Sequence, residues 1–287
     1  MTSPKMPALF ISHGSPLMAL TDSAAQRFLK DLGTRLPRPQ AIVAVSAHHD
    51  APSTEVTGAA RPDTIHDFGG FPAELYRIRY GAPGEPTLAR QIVERLTAEA
   101  LPARVEPRRG LDHGAWIPLY LMYPQADVPV VQVSIDSARP PAHHFALGRA
   151  LRPLREAGAL LIGSGGATHN LGLYFRAGDR HDGSAPPEWV EAFNEWTAGA
   201  VEARRFDELL RYRERAPYAA QNHPTPEHYL PLFATLGAAY DDEPGVRIHA
   251  SYDRGLLSLD AYAFGFAAAA AQPLRERAST TSVGVLH

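Results

Sequence analysis

The sequence predicts an α/β fold in one domain, a sheet covered by helices on both faces. Short apolar runs at 8–11, 41–45, 129–135 and 159–163 are each bounded by turn residues, as buried strands are. Helix-patterned segments at 22–33, 86–99 and 142–157 alternate with them, and that alternation packs as a sheet between helical layers. The 287 residues, 45% hydrophobic and 21% charged, suffice for a large core, and no stretch reads as an interdomain linker.

Taken in order, the first strand runs through ALFIS into HGSP, where a Gly and a Pro beside His13 favour a sharp turn that exposes the imidazole. On its own, such a histidine more often bonds loop backbone. The second strand, AIVAV, ends in SAHHD. Neighbours on an extended strand point to opposite sides, so His48 and His49 cannot both face one site, and Asp50 is a candidate to orient an imidazole. TIHDFGGFP, 64–72, reads as a turn between two Phe, either lining a pocket for something flat or merely anchored by them. The role of His66 there stays open.

In LDHGAWIPL, Asp112 suits a helix N-cap. His113 in the first turn either donates to a developing anion or sits at the surface. In GSGGATHNL the glycines before His169 permit a tight turn and close approach of a ligand, but the spacing of a phosphate loop is absent. Residues 186–214 look helical and highly charged. A helix opening at Thr225, with Pro226 in its first turn, places His228 about one turn inside it and Glu227 beside it. Residues 246–264 suit returning strands, and 275–287 a loose tail.

A net charge of −3, without Lys/Arg runs interleaved with aromatics, argues against nucleic acid or an anionic membrane as partner. No apolar stretch approaches the ~20 residues of a membrane span. The apolar segment near the N-terminus is too short for a signal-peptide core, so a cytoplasmic location is expected. Oligomeric state is not readable. The absence of cysteine excludes disulfides, thiolate nucleophiles and thiolate metal sites, which leaves His, Asp, Glu and backbone oxygen as ligands.

Ligands of open α/β sheets sit beyond the carboxyl ends of the strands. His13, His48 and His169 follow strands closely and are expected to share that rim. With His228 they suit a mononuclear nitrogen-ligated site, and three His with open positions fit either a zinc Lewis acid or a ferrous dioxygen centre.

MPALFISHGSP, LPRPQAIVAVSAHH, TIHDFGGFPAELY, DHGAWIPL, VPVVQVSID and PTPEHYLPL, in this order, resemble the class III (LigB-type) extradiol ring-cleavage dioxygenases, in the 4,5-DOPA dioxygenase extradiol-like subgroup. The resemblance runs from about Pro7 to Phe266. It implies a three-layer α/β/α fold around a mixed central sheet, a catalytic domain over 1–272 and a loose tail over 273–287. It implies Fe(II) in the active enzyme, with zinc possible in isolated protein. The implied metal ligands are His13, His48 and His228, with Glu227 the alternative to His228. His169 falls at the acid–base position and His113 at a second pocket histidine.

The implied reaction joins a catechol and O₂ to give a semialdehyde acid. Two alternatives stay open, a zinc hydrolase and a non-catalytic metal- or peptide-binding relative. A carboxylate on the substrate would want a cation in the pocket, and Arg61, Arg77 and Arg176 cannot be placed from sequence. Residues 172–186 are either a lid or a disordered loop, and His181 joins the site only if that loop folds inward.

Overall fold

The computed structural model describes residues 5–181 and 183–266; the expected tail, 273–287, lies outside them. Among the described residues there are ten strands: β1 (Ala8–Ser12), β2 (Ala41–Asp50), β3 (Thr54–Thr57), β4 (Ala103–Glu106), β5 (Val130–Ile135), β6 (Ala159–Gly165), β7 (Gly245–His249), β8 (Tyr252–Asp253), β9 (Leu257–Ser258) and β10 (Ala261–Phe264). The helices are α1 (Ala24–Arg35), α2 (Ala73–Arg77), α3 (Pro86–Ala98), α4 (His113–Met122), α5 (Pro141–Leu151), α6 (Leu171–Tyr174), α7 (Glu188–Glu202), α8 (Phe206–Leu210), α9 (Tyr212–Arg215), α10 (Ala219–Asn222) and α11 (Leu230–Ala238).

Eight strands form one sheet in the order β4-β3-β5-β2-β6-β1-β10-β7, and β8 pairs with β9 in a small hairpin. The inner strands β5, β2, β6 and β1 are mutually parallel, whereas β10 is antiparallel to β1 and β3 to β5. The sheet is therefore mixed, and its four parallel strands end on one edge.

Side-chain alternation divides the core into two layers. Phe10, Val43, Val45, Val131 and Leu161 face α3, α5, α7 and α11. Leu9, Ile11, Ile42, Val130 and Ile162 face α1 and α4. This is why the strands read as continuous apolar runs: both faces are covered. The helix α4 is buried almost throughout, so its sequence HGAWIPLYLM shows little amphipathic pattern.

The charged stretch 186–214 is helical as expected, as α7 followed by two short helices. Two boundaries differ from expectation. The strand β2 runs on through Asp50, with a register irregularity opposite β5 between Ser46 and Asp50. The helix expected to open at Thr225 begins at Leu230. Proline 231 explains the delay, because a helix running on from 226 would set its ring against the carbonyl of residue 227. His228 therefore lies in the turn before α11, not one turn inside a helix. The short strands β3 and β4, the latter at the sheet edge, carry too little pattern to be read from sequence.

Candidate metal centre

The turn after β1 is built as the sequence suggests. Gly14 takes φ +60, and a side chain there would collide with Met18 and Leu259. Ser15 caps the following 3-10 turn, in which Pro16 stands first. His13 is left pointing along the sheet rim, 3% exposed.

In β2 the irregularity after Ser46 re-aims the chain, as a bulge does. His48 turns into the rim cavity. His49 turns away to Glu55 at 3.1 Å. Asp50 does not orient an imidazole; its carboxylate accepts the Ser137 N–H.

Asp112 caps α4 through Ala115 N–H. Ser46 and Gln132 also donate to this fully buried carboxylate, at 2.6 and 2.7 Å. His113, in the first turn, is buried and not at the surface. Gly114 lets this turn lie on β2, since a Cβ would stand 2.5 Å from Ser46 Oγ and 3.0 Å from the His48 ring.

Gly163 and Gly165 let the segment leading into α11 pack on β6, and Gly165 and Gly166 also line the cavity. Cβ atoms on Gly163 and Gly165 would meet the carbonyls of Pro231 and His228 at 2.3 and 2.1 Å. The turn carrying His228 is thereby laid against β6. Gly166 N–H donates to His228 O and His169 N–H to Asn222 O, which ties the two histidine-bearing segments together.

The imidazoles form one cluster. His48 Nε2 lies 3.1 Å from His13 Nε2 and 3.2 Å from His228 Nε2. The outer nitrogens all face acceptors: His13 Nδ1 meets Ser164 Oγ at 3.0 Å, His228 Nδ1 meets Glu227 Oε1 at 3.1 Å, and His48 Nδ1 lies 3.5 Å from Asp67 Oδ2. A hydrogen on each Nδ1 leaves three Nε2 lone pairs directed at one another. Converging lone pairs repel unless a cation sits among them. Two nitrogens each ~2.0–2.1 Å from one ion lie about 2.8–3.4 Å apart at right-angled to tetrahedral geometry, a range that holds the observed spacings.

The tautomer of His13 has a cause some distance off. Pro118 lacks an N–H, so the carbonyl four residues back, Gly114 O, receives no helical bond from it. The Ser164 hydroxyl donates to that carbonyl instead. Its oxygen is then an acceptor, and His13 Nδ1 must be the donor.

Glu227 stands behind His228, not among the Nε2 atoms; its Oε1 also accepts from Thr225 Oγ1 at 2.9 Å. His169 stacks on His228 with ring centroids 3.4 Å apart and planes 9° apart. The ligating atoms of His13, His48 and His113 lie within 4.8 Å of one another, as do those of His169, Glu227 and His228. His113 Nδ1 lies 3.0 Å from Asp67 Oδ1, which also accepts the His113 backbone N–H.

Asp67 and Ser164 were not singled out from sequence. Asp67 lay inside a motif read for its Phe and Gly residues, and nothing local marks Ser164. His66 bonds Ile78 O, and His181 is exposed, outside the residues that line the cavity.

Burial sets the protonation of the cluster. It draws His48 and His169 down to about 4, and His13 and His228 well below the ordinary imidazole value, with the neighbouring imidazoles adding to the effect for His13, His48 and His228. All four are therefore neutral at pH 7. Burial acts to raise Asp67, but hydrogen bonds from His113 and the charges of His113 and His48 outweigh it and hold the carboxyl at about 2.

The cavity above the cluster measures about 400 Å³. Phe68, Phe71, Leu171, Tyr174 and Phe175 supply its aromatic and apolar walls, and the histidines with Thr168 and Ser258 its polar groups. That combination suits a flat aromatic compound with polar substituents. Among the described residues no helix is long and apolar enough to cross a membrane.

Residues 7–264 match the model of the catalytic LigB subunit of aromatic ring-opening dioxygenase, and the chain belongs to that family. It is 42% identical over 259 residues to a Beta vulgaris protein named 4,5-DOPA dioxygenase extradiol, spanning 89% of this chain and 95% of the relative. It is 46% identical over 251 residues to an Escherichia coli K12 protein of the same name, spanning 85% and 89%. A crystal structure of an uncharacterized Escherichia coli K12 protein superimposes with a TM-score of 0.76 at 39% identity, covering 91% of this chain and all of that one. The chain is thus an enzyme of the extradiol dioxygenase class, with the α/β/α fold of that neighbour.

Proposed function

We propose that this enzyme opens the ring of a DOPA-like catechol with O₂, beside an Fe(II) held by His13, His48 and His228. The observation that carries the reading is the meeting of three imidazole lone pairs at 3.1 and 3.2 Å beneath an aromatic-walled cavity. Fe(II) held there would supply Lewis acidity toward the catechol oxygens and the redox chemistry that lets O₂ react with the ring.

The protein's own residues do the remaining work. Phe68 and Phe71 hold the ring plane. His169, neutral because it is buried, takes the proton of a catechol hydroxyl and later returns one. Its stacking on His228 fixes where that nitrogen stands. His113, anchored to Asp67, presents its other nitrogen to the cavity and steadies the developing oxyanion. Glu227 and Asp67 hold the Nδ1 hydrogens of His228 and His48, which orients those rings and raises their basicity toward a metal. The product is a semialdehyde acid, both oxygens of O₂ entering it.

The test is anaerobic reconstitution of metal-free protein with Fe(II) and, separately, with Zn(II). Catechols including DOPA are added, air is admitted, and oxygen uptake and the yellow semialdehyde are recorded. Uptake and colour with iron alone are expected, and sharply reduced in His169→Gln. Silence with iron, together with zinc-dependent hydrolysis of esters or amides, would overturn the reading. Undiminished turnover in His169→Gln would remove that residue from its role.

A further inference from the structure

Exposed apolar side chains are not spread evenly over the molecule. Among the described residues five large ones stand exposed: Leu17, Leu20, Leu171, Phe175 and Tyr218. Three of the five line the catalytic cavity, Leu17 at 36%, Leu171 at 40% and Phe175 at 75% exposure. Single exposed apolar residues need no explanation, but three gathered on one opening mark a surface that something covers. The other end of the cavity is closed, since His13, His113 and His228 are buried. This gradient of exposure sets the histidines on the floor and the three apolar side chains at the mouth.

Local structure holds these side chains outward. Pro16, Met18 and Ala19 of the 3-10 turn after Gly14 are buried, which leaves Leu17 facing solvent. Leu171 and Phe175 stand four residues apart, and Phe175 N–H donates to Leu171 O at 2.9 Å, so their side chains are neighbours on one face. Asn170 caps this turn through Leu173 N–H and donates to Gln221 O at 2.6 Å, which fixes the pair in place. Of Asp, Glu, Lys and Arg, the described lining includes Asp67 and Arg254 alone. Asp67 serves His48 and His113, and the Arg254 guanidinium lies 5.1 Å over the Tyr174 ring. The arginines left unplaced by sequence, Arg61, Arg77 and Arg176, are exposed and line no part of the cavity.

We propose that Leu17, Leu171 and Phe175 form an apolar collar that receives the substituent of the catechol, so that the enzyme prefers catechols bearing a long apolar substituent to those bearing a short one. The inference rests on the ring-opening reading above. Both hydroxyls of the catechol face the histidines on the floor, so a substituent para to one of them leaves the ring toward the mouth. There the collar takes it out of water, and the complex is stabilised in proportion to the apolar area covered. Leu17 is also a wall of an adjoining cavity of about 680 Å³, which gives a long substituent room.

The test compares 4-butylcatechol with 4-methylcatechol, which has the same ring and a substituent shorter by three methylenes. Phe175→Ser is the main variant, because a side chain this exposed contributes little to folding; Phe175→Leu is the conservative one. The iron-loaded protein gives the ratio of kcat/KM for the two compounds. The zinc-loaded protein, which need not turn over, gives the ratio of their association constants by calorimetry. Burial of the extra methylenes predicts that wild type favours the butyl compound about 10- to 50-fold, and that F175S lowers both ratios by about 3- to 10-fold, with F175L between it and wild type.

Ratios equal in F175S and wild type would overturn the assignment, as would equal losses for both compounds, the signature of a purely structural role. A second copy of the chain seated on the collar would overturn it too: sedimentation would then show a dimer that F175S dissociates, with both ratios unmoved. If no catechol is opened, the ring-cleavage reading fails, and the calorimetric ratio still decides whether the collar holds the substituent.

Discussion

Replacing Ser164 with alanine tests the chain of contacts that sets the tautomer of His13, and with it the nitrogen proposed to hold a metal. The substitution has two separable effects. It leaves Gly114 O buried without a donor, because Pro118 has no N–H to offer. An unsatisfied buried carbonyl costs about 1–3 kcal/mol of folding stability. It also removes the acceptor 3.0 Å from His13 Nδ1, so that nothing holds the hydrogen there. Loss of an outer partner of this kind weakens metal binding about 10- to 100-fold.

Urea denaturation of metal-free protein reads the first effect, and competition with a calibrated chelator reads the second. In the double variant S164A/P118A the restored N–H satisfies Gly114 O. Stability should then recover while metal affinity stays low. An S164A affinity equal to wild type would refute the argument, as would recovery of affinity together with stability in the double variant.

Other outcomes follow from the same contacts. Glu227→Gln should weaken metal about 10- to 100-fold, because Glu227 orients His228, whereas His228→Ala should abolish binding; the reverse ranking in chelator competition would make Glu227 the ligand. Far from the site, fully buried Arg155 forms two bonds to Glu243, at 2.7 and 2.8 Å. Glu243→Ala strands that guanidinium and should cost about 3–5 kcal/mol in urea denaturation, without changing metal affinity.

Acid should destabilise the metal-free protein. Burial draws His144 and His249 to about 4 in the folded state, against an unfolded value of about 6.5. The unfolded chain therefore binds more protons between those values, so stability is full above the upper one and falls as pH drops toward the lower, by on the order of 3 kcal/mol per group. A urea midpoint unchanged between neutral and mildly acidic pH would contradict this.

The fold class was legible because its signal is local. Strands buried on both faces read as apolar runs, and ALFIS, AIVAV, PVVQVSI and ALLIG are such runs. The histidines were legible as a group because parallel strands deliver their ends to one edge, so a His shortly after β1 and β6 and one near the end of β2 imply a shared rim. The split between His48 and His49 followed from strand geometry alone.

What sequence could not decide was register and partnership. Whether His228 or Glu227 faces the cluster depends on a turn whose helix is delayed by Pro231, and on how that turn lies against Gly165. The tautomer of His13 depends on Pro118, Gly114 and Ser164, residues from two elements far apart in the chain that share no pattern. Asp67 acquires meaning only because its loop brings the carboxylate to the His48 and His113 rings. Periodicity reports which face of an element is buried; it carries no information on which atom of a distant loop will stand 3 Å from an imidazole nitrogen, and that distance, not the residue type, fixes the chemistry.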